Sequence, residues 1–166
     1  MEFKNYLIEQ LNSNRDFLNY TLADLSDADM FVRPCPNANH AAWQLGHMIS
    51  SEASVQKNIA PSTAVALPVG FIDVYKMDAN KLDDASKFAP FNTKAQLLEW
   101  FGKIRGGTIV WVEAMSPEQL DEPTPDKYKA WAATFGELAA GQIVHAMMHI
   151  GQFSVIRRRL GKPVLF

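Results

Sequence analysis

Leu7, Leu11, Leu18, Leu22 and Leu25 recur at steps of three, four or seven residues, the spacing that places side chains on one buried face of an α-helix. A chain that repeats this pattern can hardly form sheet, because a half-buried strand needs alternation with a period of two. No segment of the sequence sustains that alternation. The stripe predicts a first helix over roughly residues 2–24, with Asn14 as a polar intruder on its buried side.

Three further helices are expected. The second covers roughly residues 38–60, after Pro34 and Pro36, and turns Leu45, Met48, Ile49, Val55 and Ile59 inward. The third, roughly 93–115, opens on the Thr-x-x-Gln capping box of TKAQ and runs Leu97, Phe101, Ile104, Thr108, Trp111, Met115. Gly106 and Gly107 weaken it by about 1 kcal/mol each relative to alanine, marking a kink or the close approach of a neighbour. The fourth, roughly 134–160, opens on TFGE and stops at Gly161 before Pro163. The connections 61–92 and 116–133 are long for a compact domain, as lids and binding loops are. Phe71, Tyr75 and Trp131 on them are mouth residues or seals for the bundle ends. A weak internal echo, LSDADM before one His-bearing helix and MSPEQL before the other, suggests that helices two and four occupy corresponding places.

With 166 residues, 48% of them hydrophobic and 20% charged, and a formal charge of −2, the chain fits one soluble globular domain over residues 1–166. The charge gives no footprint for nucleic acid. Arg157, Arg158 and Arg159 fall in a last helical turn, where cations complement the helix dipole. No apolar run is long enough to span a bilayer, the start lacks a secretory signal, and the one cysteine, Cys35, has no partner for a disulfide. A cytoplasmic location is expected. Cys35 lies between two prolines without an activating neighbour and reads as a loop thiol.

Two of the four histidines stand four residues apart in HAMMHIGQF. On a helix His145 and His149 project about 40° apart, one turn along the axis, on a stripe continued by Leu138 and Ile156. Inward imidazoles need partners, since an unsatisfied buried polar group costs roughly 1–3 kcal/mol. Core histidines bonded to Gln, Asn or backbone groups satisfy that need as well as a shared metal ion does. The zincin mechanism is excluded, because Ala146 stands where its catalytic glutamate would be. His47, beside Gly46 and on a face with Trp43, Ser50 and Ser54, is the preferred third ligand; His40 shares that face but belongs to the helix start. Three imidazoles would leave a coordination position open for water or substrate. Asn14, Thr108 and Gln152 could orient ring nitrogens or substrate, and Glu52 could be a wall residue or general base.

AAWQLGHMISSE, TFGELAAGQIVHAMMHIGQFSVIRRRLGKP and the spacing between them resemble the DinB-like (YfiT-like) superfamily of metal-dependent enzymes over nearly the whole chain. The resemblance implies a four-helix bundle with a long crossover connection, a metal triad of His47, His145 and His149, and a homodimer. It also implies a small-molecule substrate and, from members that are thiol-dependent transferases or isomerases, a low-molecular-weight thiol as cofactor. The ion would be divalent, zinc or nickel ahead of iron or manganese, although imidazoles alone do not choose. The leading expectation is therefore an enzyme whose ion activates a thiol or water for transfer, isomerisation or hydrolysis. A non-catalytic metal-binding or stress-response module is the alternative, and a metal-free helical dimerisation domain the third.

Overall fold

The computed structural model describes residues 2–76, 78 and 81–166, and among these there is no strand. Met77, Ala79 and Asn80 of the expected 61–92 connection lie outside the described residues. The four expected helices are α1 (Phe3–Leu22), α2 (Ala41–Ile59), α4 (Lys94–Ala114) and α6 (Phe135–Arg159). Two short ones, α3 (Phe71–Val74) and α5 (Pro117–Asp121), lie within the long connections. No helix among the described residues is long and apolar enough to cross a membrane.

Local chemistry fixes the helix ends. Thr93 and Gln96 form the reciprocal capping box anticipated for α4. At α6, Thr134 accepts from the Glu137 N–H as expected, but the Glu137 carboxylate reaches one residue further back, to the N–H of Ala133 at 2.6 Å. His40 caps α2 through its ring, accepting from the Trp43 N–H at 3.1 Å, and is completely buried. Gly161 takes the left-handed conformation, φ 68°, that ends α6. Arg157 does more than complement a dipole: it is buried, donates to Thr21 O and pairs with Asp24, tying the end of α6 to α1.

The long helices pack as a ring in which α1 and α2 each lie against both α4 and α6. The chain thus crosses the ring twice, between α1 and α2 and between α4 and α6, whereas the 61–92 connection joins the neighbours α2 and α4. Two apolar clusters fill it. One holds Leu18, Leu22, Leu45, Ile49, Phe101, Ile104, Ile150 and Phe153. The other holds Leu7, Leu11, Val55, Val112, Leu138 and Ala139. A polar layer separates them along every helix: Asn14 on α1, Glu52 on α2, Arg105 and Thr108 on α4, Gln142 on α6, all buried. The histidines stand beside this layer.

Of the two explanations offered for Gly106 and Gly107, the close approach of a neighbour holds at Gly107 alone. α4 runs unbroken through both. A Cβ at Gly107 would come within 2.8 Å of Gln56 Oε1 and 3.0 Å of Val65, so that glycine admits a neighbour, whereas Gly106 faces open space.

Candidate metal centre

α2 presents His47, and α6 presents His145 and His149 one turn apart. The three rings converge, with nitrogen atoms that all lie within 4.8 Å of one another. Ring centroids are 5.2 Å apart for His47 and His145, 5.6 Å for His47 and His149, and 4.9 Å for His145 and His149. His40, at the other end of the same α2 face, takes no part; its ring bonds the Trp43 N–H and Leu82 O.

Hydrogen bonds determine which nitrogens face inward. Gln44 donates through Nε2 to Asn39 O at 2.7 Å, which orients its amide and leaves Oε1 as acceptor toward His149 Nδ1 at 3.0 Å. His149 therefore carries its proton on Nδ1 and turns the Nε2 lone pair into the cluster. There it meets His145 Nε2 at 3.1 Å. That separation is close to the roughly 3.3 Å expected of two nitrogens about 2.0–2.1 Å from one tetrahedral ion. Neither of these bonds reaches His47, whose ring instead stacks on Trp43, centroids 5.0 Å apart and planes 4° from parallel. A convergent, half-buried imidazole without a hydrogen bond among the described residues fits a ligand better than a core histidine.

Burial holds all three rings neutral, as ligation requires. It lowers His145 to about 4, helped by His47 and by the charge of Arg105. It lowers His149 to about 3, helped by His145 and His47. His47 is pushed down by burial as well. Gln152, exposed on the next turn of α6, is the smallest named influence on His149 and favours its charged form.

Asn14, Glu52 and Thr108 bond elsewhere. All three surround Arg105, an arginine with no exposed surface. It grips Glu52 with two bonds, Nε to Oε1 at 2.9 Å and Nη2 to Oε2 at 3.0 Å. It also donates to Asn14 Oδ1 at 2.8 Å and to Gln142 O at 3.2 Å. Thr108 donates to Glu52 Oε1 at 2.6 Å and accepts from Gln56. One guanidinium thus joins all four long helices. Arg105 and Gln44 are the residues that sequence reasoning missed. Their signals were an arginine on the Phe101, Thr108, Val112 stripe and a glutamine three residues before His47.

Two cavities open beside the histidines. One, about 620 Å³, is lined by His47, His145 and the α6 residues Ala140, Gly141 and Val144; the other, about 360 Å³, follows α2 past Ser50, Ser51 and Ser54. His47, Ser51 and Trp131 border both. Of the three expected mouth residues Trp131 stands there, 54% exposed, whereas Phe71 and Tyr75 are buried. Tyr75 fills the space left by Gly46 and donates its hydroxyl to Phe91 O at 2.6 Å. Cys35 is exposed.

An all-helical chain with three converging imidazoles and an adjoining cavity is of the kind expected for a metal-binding bundle. Residues 10–153 match the family model of the DinB superfamily, and the chain belongs to that superfamily. A crystal structure described as the conserved protein of locus from Enterococcus faecalis is similar, with a TM-score of 0.68 and 19% identity, over 98% of this chain and 99% of that one. At that identity the likeness speaks for the fold alone. No curated protein matches the chain.

Proposed function

We propose that His47, His145 and His149 hold a divalent ion, zinc or nickel first, and that the chain uses it on a small-molecule substrate in thiol- or water-dependent transfer, isomerisation or hydrolysis. The observation that carries this reading is the Gln44–His149 bond, which turns a lone pair toward two further imidazoles within 4.8 Å. A bound ion would lower the pKa of a coordinated water or thiol toward neutrality and polarise an electrophile. The chain's own residues supply the rest: Trp43 backs His47, Gln44 holds His149, and the cavity of about 620 Å³ gives a substrate access to the rings.

Protein purified without added metal is expected to carry close to one ion per chain by elemental mass spectrometry, and His149→Ala to lose it. Wild-type protein without an ion, and unable to take up zinc or nickel, would sink the proposal. Turnover is then tested with the loaded protein against thiol and ester substrates.

A structural or sensory ion without turnover is the second reading. One observation favours it: Glu52, read from the sequence as a wall residue or a general base, is already engaged by Arg105 and Thr108. A chelator that lowers the melting temperature of a protein inactive on every substrate would support that reading.

The same proposal takes residues 1–166 as one domain of a cytoplasmic homodimer. Val144, Met147, Met148 and Val155 form an exposed apolar stripe on α6 suited to a second copy. Sedimentation of Met148→Glu, expected to run as a monomer, checks it.

A further inference from the structure

Trp131 is the exposed indole at the boundary of both cavities, and three features hold it in place. Tyr128 meets it edge-on, ring centroids 5.6 Å apart at 77°. Its backbone N–H donates to Tyr128 O at 3.0 Å, within a turn that Thr124 fastens by a bond to Ala132 O. On the α6 side the indole lies over Gly141, where even a Cβ would come within 3.2 Å of its Cζ3 atom. Gly141 is four residues, about one turn, before His145. A fixed aromatic face left open to solvent, one turn from the imidazoles, is a surface prepared for a flat apolar group.

Both cavities mix apolar and polar walls. Along α6, Ala140, Gly141 and Val144 are flanked by Glu137 and Gln142; along α2 the wall carries Ser50, Ser51 and Ser54 and reaches Lys76. Ser50 Oγ is buried without a partner among the described residues. A ligand lying across His47 would therefore meet hydrogen-bonding groups on both sides, with Trp131, common to the two cavities, as the open flat surface for its apolar part.

We propose that Trp131 is a specificity-determining residue of this centre, stacking a planar apolar group, aryl or conjugated acyl, of a substrate whose reacting end lies at His47 and His145. The assignment rests on the metal reading above.

The test uses two hydroxamates that share a metal-binding end and differ in the attached group. Nickel-loaded full-length protein is expected to bind benzohydroxamate at least about tenfold more tightly than acetohydroxamate. Trp131→Ala should bring the ratio close to one without changing nickel stoichiometry, and Trp131→Phe should restore part of it. The full wild-type preference retained in Trp131→Ala, or no preference in wild type, overturns the proposal. Nickel content of the same samples separates the two ideas, because loss of the metal site weakens both hydroxamates together. Stacking itself does not need the ion. Benzohydroxamate should therefore still shift the Trp131 indole N–H resonance of metal-free protein, and a resonance that stays fixed would overturn the assignment whatever the metal result.

Discussion

Gln44 Oε1 lies 3.0 Å from His149 Nδ1, while the other end of the same amide donates to Asn39 O. The main chain before α2 thereby dictates which nitrogen of an α6 histidine faces the cluster. Partners of this kind, one bond removed from the ion, typically change metal affinity 10- to 100-fold when removed. Gln44→Leu is expected to weaken zinc or nickel binding by about that factor, measured by competition with a chromophoric chelator. Gln44→Glu keeps the acceptor for His149 but loses the donor to Asn39 O, and should recover only part of the affinity. Equal affinity in the leucine variant would show that His149 needs no orienting partner.

Arg105 and Glu52 form an ion pair with both side chains essentially inaccessible, 0% and 3% exposed. Removing one member of such a pair strands the other charge and costs about 3–5 kcal/mol, whereas replacing both by apolar groups is often neutral. Arg105→Met is therefore expected to be severely destabilised in urea unfolding, and Arg105→Met with Glu52→Met to recover much of the loss. Recovery should be incomplete, because Asn14 Oδ1 and Thr108 Oγ lose bonds in the double variant. A single variant within about 1 kcal/mol of wild type would contradict the burial of that charge.

The four helices were legible because their signals are local: the α4 capping box, the leucine stripe of α1 and the stop at Gly161 each depend on residues within two turns. His145 and His149 were legible for the same reason, and Gly46 with its small neighbours pointed to His47. Arg105 was not, since an arginine inside a helix ordinarily belongs to solvent. Only the packed bundle brings Asn14, Glu52 and Gln142 O around it. Of the aromatics expected as mouth residues or seals, Phe71 is a buried seal, and Tyr75, also buried, lines the smaller cavity from within. A connection without periodicity does not say which aromatic turns inward, and it is the Tyr75 ring that occupies the space beside Gly46.

His40 gives a pH dependence separable from the metal centre. Its Nδ1 accepts from the Trp43 N–H, so Nε2 carries the proton toward Leu82 O, and burial is the main cause that lowers its pKa from 6.5 to about 4. A folded value below the unfolded one means that the unfolded chain binds the proton first as pH falls. The associated stability is complete above about pH 6.5, is lost on the way down to about pH 4, and amounts to about 3 kcal/mol. His40→Asn keeps a capping acceptor but cannot titrate there. In chelator, wild type should lose about 3 kcal/mol more than His40→Asn between pH 7.5 and 4. Lowered values at His145 and His149 act in the same direction in both proteins and cancel in the difference. Parallel curves would place the acid sensitivity elsewhere.

Gly46 and Gly151 predict opposite outcomes for the same substitution. A Cβ at Gly46 would lie 2.2–2.5 Å from three ring carbons of Tyr75, a buried side chain further held by its hydroxyl bond to Phe91 O. The ring has nowhere to retreat, so Gly46→Ala is expected to cost about 1–3 kcal/mol as an overpacked core. A Cβ at Gly151 would meet nothing within 4 Å, and the residue sits inside α6. Gly151→Ala should therefore stabilise by up to about 1 kcal/mol through helix propensity. For a chain of this size that is about 2–4 °C in melting temperature. Gly46 also adjoins His47, so a displaced α2 backbone should lower metal affinity in Gly46→Ala and leave it unchanged in Gly151→Ala. Comparing melting temperature and zinc affinity for the two variants separates crowding against Tyr75 from a general effect of losing a helical glycine. Equal shifts in both would refute the tight packing of Tyr75 on α2.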